Sequence, residues 1–124
     1  MRDPGAMLDE LLAGTLAAEG FGHREHVAVA HAALCRWEFF EAAWRYSSGL
    51  RALTERAGVP EKFNATLTLA FLSLIAERMG QEDSVTFVEL HTDLGMKLVR
   101  SAGYDAERLA DPKARTVGLL PVAG

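Results

Sequence analysis

Ten residues near the middle of the chain are apolar almost without interruption: Leu67-Thr68-Leu69-Ala70-Phe71-Leu72-Ser73-Leu74-Ile75-Ala76. Pro60 precedes this segment and Gly80 follows it, as is typical of a helix start and a helix end. A helix that is apolar on nearly every side is one that other helices surround. The segment therefore predicts a buried central helix over about 60–79, whose apolar run is too short to span a bilayer.

The flanking segments repeat apolar residues at helical spacing, and no segment alternates long enough to predict a strand. Further helices are predicted over about 6–18, over 23–56 either as one continuous helix or with a bend near Trp37, and over 83–103. A short helix and an extended tail from about residue 111 complete the chain. We therefore predict an all-α fold, a single compact bundle of four or five helices around the central one, with residues 1–124 in one domain.

Composition limits the classes of function. The net charge is −4 and no Lys/Arg cluster is present, which argues against a nucleic-acid partner. Cys35 is the only cysteine, so no disulfide can form within the chain, and we expect an inert, buried thiol. The N-terminal residues lack the apolar core of a signal peptide. These features predict a cytoplasmic protein that does not act in a membrane.

The most suggestive short motif is His23-Arg24-Glu25-His26. Residues three apart on a helix share a face, with Cβ atoms about 5–6 Å apart, so both imidazoles could reach one metal ion or one substrate. Alternatively, both are polar helix-start residues, one of them bonded to a neighbouring helix. His31 follows His26 by five residues, lies on another face, and is more typical of a core or surface histidine.

Further polar and aromatic residues are spaced so that they share a helix face, and they are also candidates for a site. Asn64 and Thr68 lie four apart on the central helix, where they face a ligand or serve the helix itself, with Thr68 bonding back to the Asn64 carbonyl. His91, one turn after Phe87, is either a third imidazole in the same interior or an edge residue. Three aromatic residues form core or wall an apolar pocket. They are Trp37, Phe40 and Trp44.

Three motifs together resemble those of a family of small bacterial all-helical, mostly hypothetical proteins. Residues 21–27 resemble its Phe-x-His-x-x-His-(Val/Leu) opening. Residues 62–68, Lys-Phe-Asn-Ala-Thr-Leu-Thr, are similar to its Lys-Tyr-His-Glu-Thr-(Ile/Val)-Thr motif. Residues 104–115 are similar to its closing Tyr-Ser-x-x-x-Leu-x-Ser-x-x-Ala-Arg segment. The resemblance covers about residues 20–120 and implies a helical fold more than a function.

If that family binds a metal, its motif histidines are the natural ligands, and they correspond to His23, His26 and position 64. This chain has Asn64 where the pattern has His, and Ala65 where it has Glu. Asparagine is a poor ligand for zinc or copper. The departure indicates either that an inherited metal site is lost or that it has become a hydrogen-bonding pocket of histidine and asparagine.

Three functions follow from these residues. The first is a small-molecule-binding protein that needs no cofactor, acting as a lyase, isomerase or cyclase on an apolar metabolite of bacterial secondary metabolism. In it His23 and His26 are the catalytic acid and base, and Asn64, Thr68 and the three aromatic residues bind substrate. The second is a protein that binds a divalent transition metal through His23, His26 and His91. The third is a non-catalytic, homodimeric interaction module.

Overall fold

The computed structural model describes residues 1–122, which form seven α-helices and no strand. The helices are α1 (Pro4–Ala13), α2 (His23–Arg36), α3 (Phe39–Arg56), α4 (Ala65–Arg78), α5 (Ser84–Leu90), α6 (Met96–Ser101) and α7 (Ala106–Ala110). Two 3₁₀ turns, Pro60–Lys62 and Pro112–Arg115, precede α4 and follow α7. The predicted all-α bundle is confirmed. None of the helices in this part of the chain is long and apolar enough to cross a membrane.

The centre of the bundle is α2, which packs against α1, α3, α4 and α5. Its residues 27–31 are all buried, so the helix has almost no solvent-facing side along that stretch. Most of its buried side chains are alanine or valine, and small side chains allow neighbouring helix axes to approach closely. The segment 60–79, expected at the centre, instead has one side in solvent, where Leu69 and Ser73 are exposed. The polar residues at the two ends of α2, with His31 in its middle, made this helix look less apolar than α4.

A second close approach brings α3 against α1. Gly49 of α3 is buried, and a Cβ atom at this position would lie 2.8 Å from Cγ of Leu11. That separation is too short for two carbon atoms, so glycine is required here for the two helices to pack. Leu11 itself is 1% exposed and fills the space that the missing side chain leaves.

Two helix ends differ from the predicted ones because of local capping. The first helix ends at Ala13 instead of about residue 18, since Gly14 has a φ of 78° and accepts the left-handed conformation that ends helices. The predicted fourth helix begins with a 3₁₀ turn, and α4 starts at Ala65. Asn64 is the N-cap of α4, and its side-chain oxygen accepts a hydrogen bond from Leu67 N at 2.9 Å.

The helix predicted over 83–103 is interrupted by a loop at 91–95, between α5 and α6. An ion pair ties this loop to the end of α4, because Arg78 donates to both carboxylate oxygens of Asp93 at 2.6 and 2.9 Å. The same guanidinium lowers the pKa of the Asp93 carboxyl. Leu94, the next residue, is buried. The loop therefore has a defined place in the fold, beside α4.

The segment after the second 3₁₀ turn contacts α4. The extended tail predicted from about residue 111 starts later, after the Pro112–Arg115 turn, and residues 123–124 lie outside the described residues. Thr66, which is 1% exposed, holds this segment. Its hydroxyl donates to the Val117 carbonyl at 2.7 Å and accepts from Leu119 N at 3.0 Å. One buried hydroxyl thus supplies the partners of two backbone groups.

Thr66→Val is expected to lower the free energy of unfolding by about 1–3 kcal/mol, because it leaves a carbonyl and an N–H without their partner. Amide hydrogen exchange at Leu119 should become faster. The matched control is Thr68→Val on the same helix, since the Thr68 hydroxyl bonds only to the Asn64 carbonyl one turn away. Equal losses of stability in the two variants, with Leu119 exchange unchanged, would contradict this role for Thr66.

Candidate functional site

A half-open cavity of about 580 Å³ lies between the first half of α2, the middle of α3, the segment before α4, α4 itself and the start of α6. Its size is within the range of small-molecule sites, about 300–1,000 Å³. Most of its wall is apolar or aromatic. The residues that form that part of the wall are Phe21, Val27, Ala30, Tyr46, Leu50, Phe63, Leu67, Phe71, Leu72, Ile75 and Met96.

Four of the predicted site residues line this one cavity, namely His23, His26, Asn64 and Thr68. The two histidines come from the first turn of α2, and the asparagine and threonine come from the start of α4. Helix capping places the histidines, because the Glu25 carboxylate accepts a hydrogen bond from Gly22 N at 2.9 Å and so orders the start of α2. The roles of these four residues stay predictions.

His23 is held by a backbone carbonyl from the interhelical loop. Its Nε2 lies 2.5 Å from the Leu94 oxygen, and because a carbonyl only accepts, Nε2–H donates this bond and Nδ1 is the ring nitrogen outside it. The ring also meets Phe71 edge-on, with 5.6 Å between the centroids. The break between α5 and α6 makes this bond possible. If the two helices were continuous, the carbonyl of Leu94 would point along the helix axis. The loop instead directs it to His23.

His26 is more enclosed than His23. Its ring packs against Phe21, with 4.4 Å between the centroids. Burial is the main reason that its pKa is lowered to about 4, and the neighbouring His23 adds to the effect, while Glu25 and the Phe21 backbone oppose it. At neutral pH this imidazole is therefore uncharged. It can donate or accept a hydrogen bond, but it is a weak base.

Asn64 and Thr68 already have partners within the protein. The Asn64 side-chain oxygen caps α4, and its amide nitrogen donates to the Leu109 carbonyl at 3.1 Å. The Thr68 hydroxyl donates to the Asn64 carbonyl at 2.8 Å, as in the helix-serving interpretation of these two residues. Both side chains contribute to the cavity wall, and the hydrogen bonds described above are all to groups of the protein itself.

The three aromatic residues predicted to wall a pocket lie elsewhere. Trp37, Phe40 and Trp44 do not line the cavity, and the last two are 78% and 65% exposed. The inward face of α3 carries Tyr46 and Leu50 instead. Trp37 and Trp44 flank the Arg45 guanidinium, which lies 4.8 and 5.7 Å from their ring centroids. Phe40 and Trp44 do share one face of α3, as their helical spacing predicts, but that face points to solvent.

His91 does not join His23 and His26. Its ring packs on Phe87, with 4.4 Å between the centroids. The Phe87 ring also packs on His31, with 4.3 Å between those centroids. Within residues 1–122 no group of three or more His, Cys, Asp or Glu side chains is arranged to hold a metal ion. The predicted ligand set of His23, His26 and His91 is therefore not brought together by the side chains as they stand.

His31 is a fully buried histidine with a structural contact. Its Nδ1 lies 2.7 Å from the Ser84 hydroxyl, which connects α2 to the start of α5, and burial lowers its pKa. Cys35, one turn later, has its sulfur 3.6 Å from the same nitrogen. The expectation of a buried thiol is wrong, because Cys35 is exposed at the end of α2. Its pKa is nevertheless raised, by partial desolvation and by Glu82.

Several cavity residues were missed by sequence reasoning, including Lys62, Phe63 and Met96. On α4 a usable signal exists, because Thr68, Phe71 and Ile75 recur every three or four residues and so form one stripe. On α3 the same spacing links Tyr46, Leu50 and Leu53. Spacing does not reveal the partner of Tyr46, whose hydroxyl donates to the His26 carbonyl at 3.1 Å and whose pKa burial raises. That contact joins residues 20 positions apart.

Comparison of the chain with protein-family models, with curated proteins and with solved structures gives no significant match. The resemblance to the small bacterial helical family therefore stays a prediction.

The pKa of His26 predicts a pH dependence of stability. Between about pH 6.5 and about pH 4 the unfolded chain binds a proton at this residue and the folded chain does not, so stability falls as the pH is lowered through this range. The loss attributable to His26 is about 2–3 kcal/mol. The measurement is urea unfolding of the wild type and of His26→Gln at several pH values, because the uncharged glutamine removes only this titration.

The advantage of the wild type over His26→Gln should shrink by that amount on acidification from about pH 7 to about pH 4. Carboxylates and His31 titrate in both proteins, so their effects cancel in the difference. Parallel stability curves over this range would show that His26 has an ordinary pKa.

Proposed function

We propose that the protein binds a small, largely apolar molecule in the cavity between α2, α3 and α4. The observation that carries this proposal is the composition of the wall, an apolar surface with a few polar side chains, as in known ligand sites. Side chains that fill interiors normally leave no space of this size. A half-open cavity bounded by well-packed helices is therefore suited to a ligand.

The histidines supply the polar contacts of the proposed complex. His26 is neutral at physiological pH, so it offers one ring nitrogen to a hydroxyl, amide or carbonyl group of the ligand. His23 has its Nε2–H committed to Leu94, and its Nδ1 is the atom that remains for a ligand. Both contacts add directional hydrogen bonds to an otherwise apolar site.

A catalytic role is the second candidate, and the bond from His23 to Leu94 favours it. An imidazole whose one nitrogen is held by a fixed acceptor keeps a single tautomer and orientation, as acid–base catalysis requires. In a lyase, isomerase or cyclase of an apolar metabolite, His23 rather than His26 would then exchange the proton. The tailoring role in bacterial secondary metabolism stays a prediction.

The other two functions have different support. For the metal-binding protein, His23 and His26 would need further ligands from a bound molecule, since His91 packs on Phe87. For the homodimeric module, the exposed Phe40 and Trp44 on α3 are the favourable observation. A dimer through that face is compatible with a ligand in the cavity, because neither aromatic residue lines it.

Binding can be tested with N-phenylnaphthylamine, a neutral dye that fluoresces in apolar surroundings. The wild type is expected to bind it saturably at one site. Thr68→Phe should weaken binding by about tenfold or more, because the ring occupies part of the cavity while the lost hydroxyl made only an internal hydrogen bond.

The matched control is Ser73→Phe, which adds the same ring to the exposed side of α4. Circular dichroism verifies that both variants keep their helices. Absence of dye binding by the wild type, or an equal loss in the two variants, would overturn the proposal.

A further inference from the structure

The charges around the cavity are one-sided. Lys62 is a cationic lining residue, whereas His26 is uncharged at neutral pH. No aspartate or glutamate is among the lining residues in the part of the chain that the structure describes. An apolar cavity with a cationic side chain and no carboxylate favours a negatively charged group on its ligand over a positively charged one.

Lys62 is placed to receive such a group. It ends the Pro60–Lys62 turn, and the next residue, Phe63, is buried in the cavity wall. The lysine is itself exposed and therefore stands at the mouth. Within residues 1–122 it forms no ion pair with an acidic side chain. Its ammonium group is thus free to pair with an anion without breaking a contact of the fold.

Neighbouring groups add to the positive character of this rim. The Arg51 guanidinium lies 5.2 Å from the centroid of the Phe63 ring, and Arg115 donates to the Pro60 carbonyl at 3.3 Å. Glu61 is adjacent in sequence but does not line the cavity. Glu25, the acidic residue nearest to the histidines in sequence, is committed to Gly22 N. Lys62, Arg51 and Arg115 therefore place three cationic side chains around the Pro60–Lys62 turn.

We propose that the ligand is an apolar monoanion, a carboxylate whose hydrocarbon part fills the cavity and whose head group pairs with Lys62 at the mouth. This inference rests on the proposed binding function and adds the chemical class of the ligand. The head group stays near water, so its desolvation is small, while the hydrocarbon part gains from burial. Recognition of this kind is sensitive to ionic strength, because the pair is partly exposed.

The test is displacement of N-phenylnaphthylamine by decanoate and by decanol, both below the concentrations at which they aggregate. In Lys62→Gln the affinity for decanoate should fall by about threefold to fivefold, the effect of an exposed ion pair, while the affinity for decanol is unchanged. The matched control is Lys113→Gln, an exposed lysine that does not line the cavity, and it should alter neither affinity.

Raising the salt concentration from about 0.05 M to about 0.5 M should weaken decanoate binding in the wild type more than in Lys62→Gln. Equal effects of the substitution on decanoate and decanol, or none on either, would overturn the inference. Dye binding that neither compound displaces would also overturn it, yet would leave the proposed binding function standing. Failure of the dye itself to bind would remove the proposed function.

Discussion

The position of α2 at the centre of the bundle is the constraint on which the other elements depend. Its residues 27–31 are buried from every side, and four helices pack on it. Alanine and valine make this possible, since longer side chains would hold the neighbouring helices further apart. His31 is the polar exception, and its contact with Ser84 positions α5. A buried imidazole without a hydrogen-bond partner would lower the stability of the fold, so α2 can be buried here only because Ser84 supplies that partner.

The same helix explains why a cavity lies where it does. The first turn of α2 carries His23 and His26, and the wall opposite is the inward stripe of α4. Ala30 of α2 lines the cavity, and its small side chain leaves the space open. Two polar links keep the surrounding wall in place, the ion pair of Arg78 with Asp93 and the bond from His23 to Leu94. Both involve the loop that interrupts the predicted last long helix.

Sequence patterns were sufficient for the fold class, because helical periodicity and glycine or proline breaks are local signals. They placed the start of α2 at His23 and brought His23, His26, Asn64 and Thr68 forward as candidates, which do share one cavity. Sequence patterns did not predict the features that depend on contacts between distant residues. The loop at 91–95 interrupts an apolar spacing that continues through it, and its Asp93 pairs with Arg78, 15 residues away.

The aromatic residues show the same limit. Spacing groups Phe40 with Trp44, but only packing determines which side of α3 faces the interior, and that side carries Tyr46 and Leu50. Two separate surfaces result, an apolar cavity and an exposed aromatic face. The basic mouth of the cavity at Lys62 could not be found from sequence, since it depends on how the turn before α4 packs against α3.

Methyl NMR during titration with decanoate tests most directly whether the cavity, and not the aromatic face, is the binding site. The account predicts that the methyl signals of Leu67, Ile75 and Met96 shift in a saturable manner, while the indole N–H signal of Trp44 stays in place. Shifts confined to Trp44 and its neighbours, with the three cavity methyl signals unchanged, would contradict it.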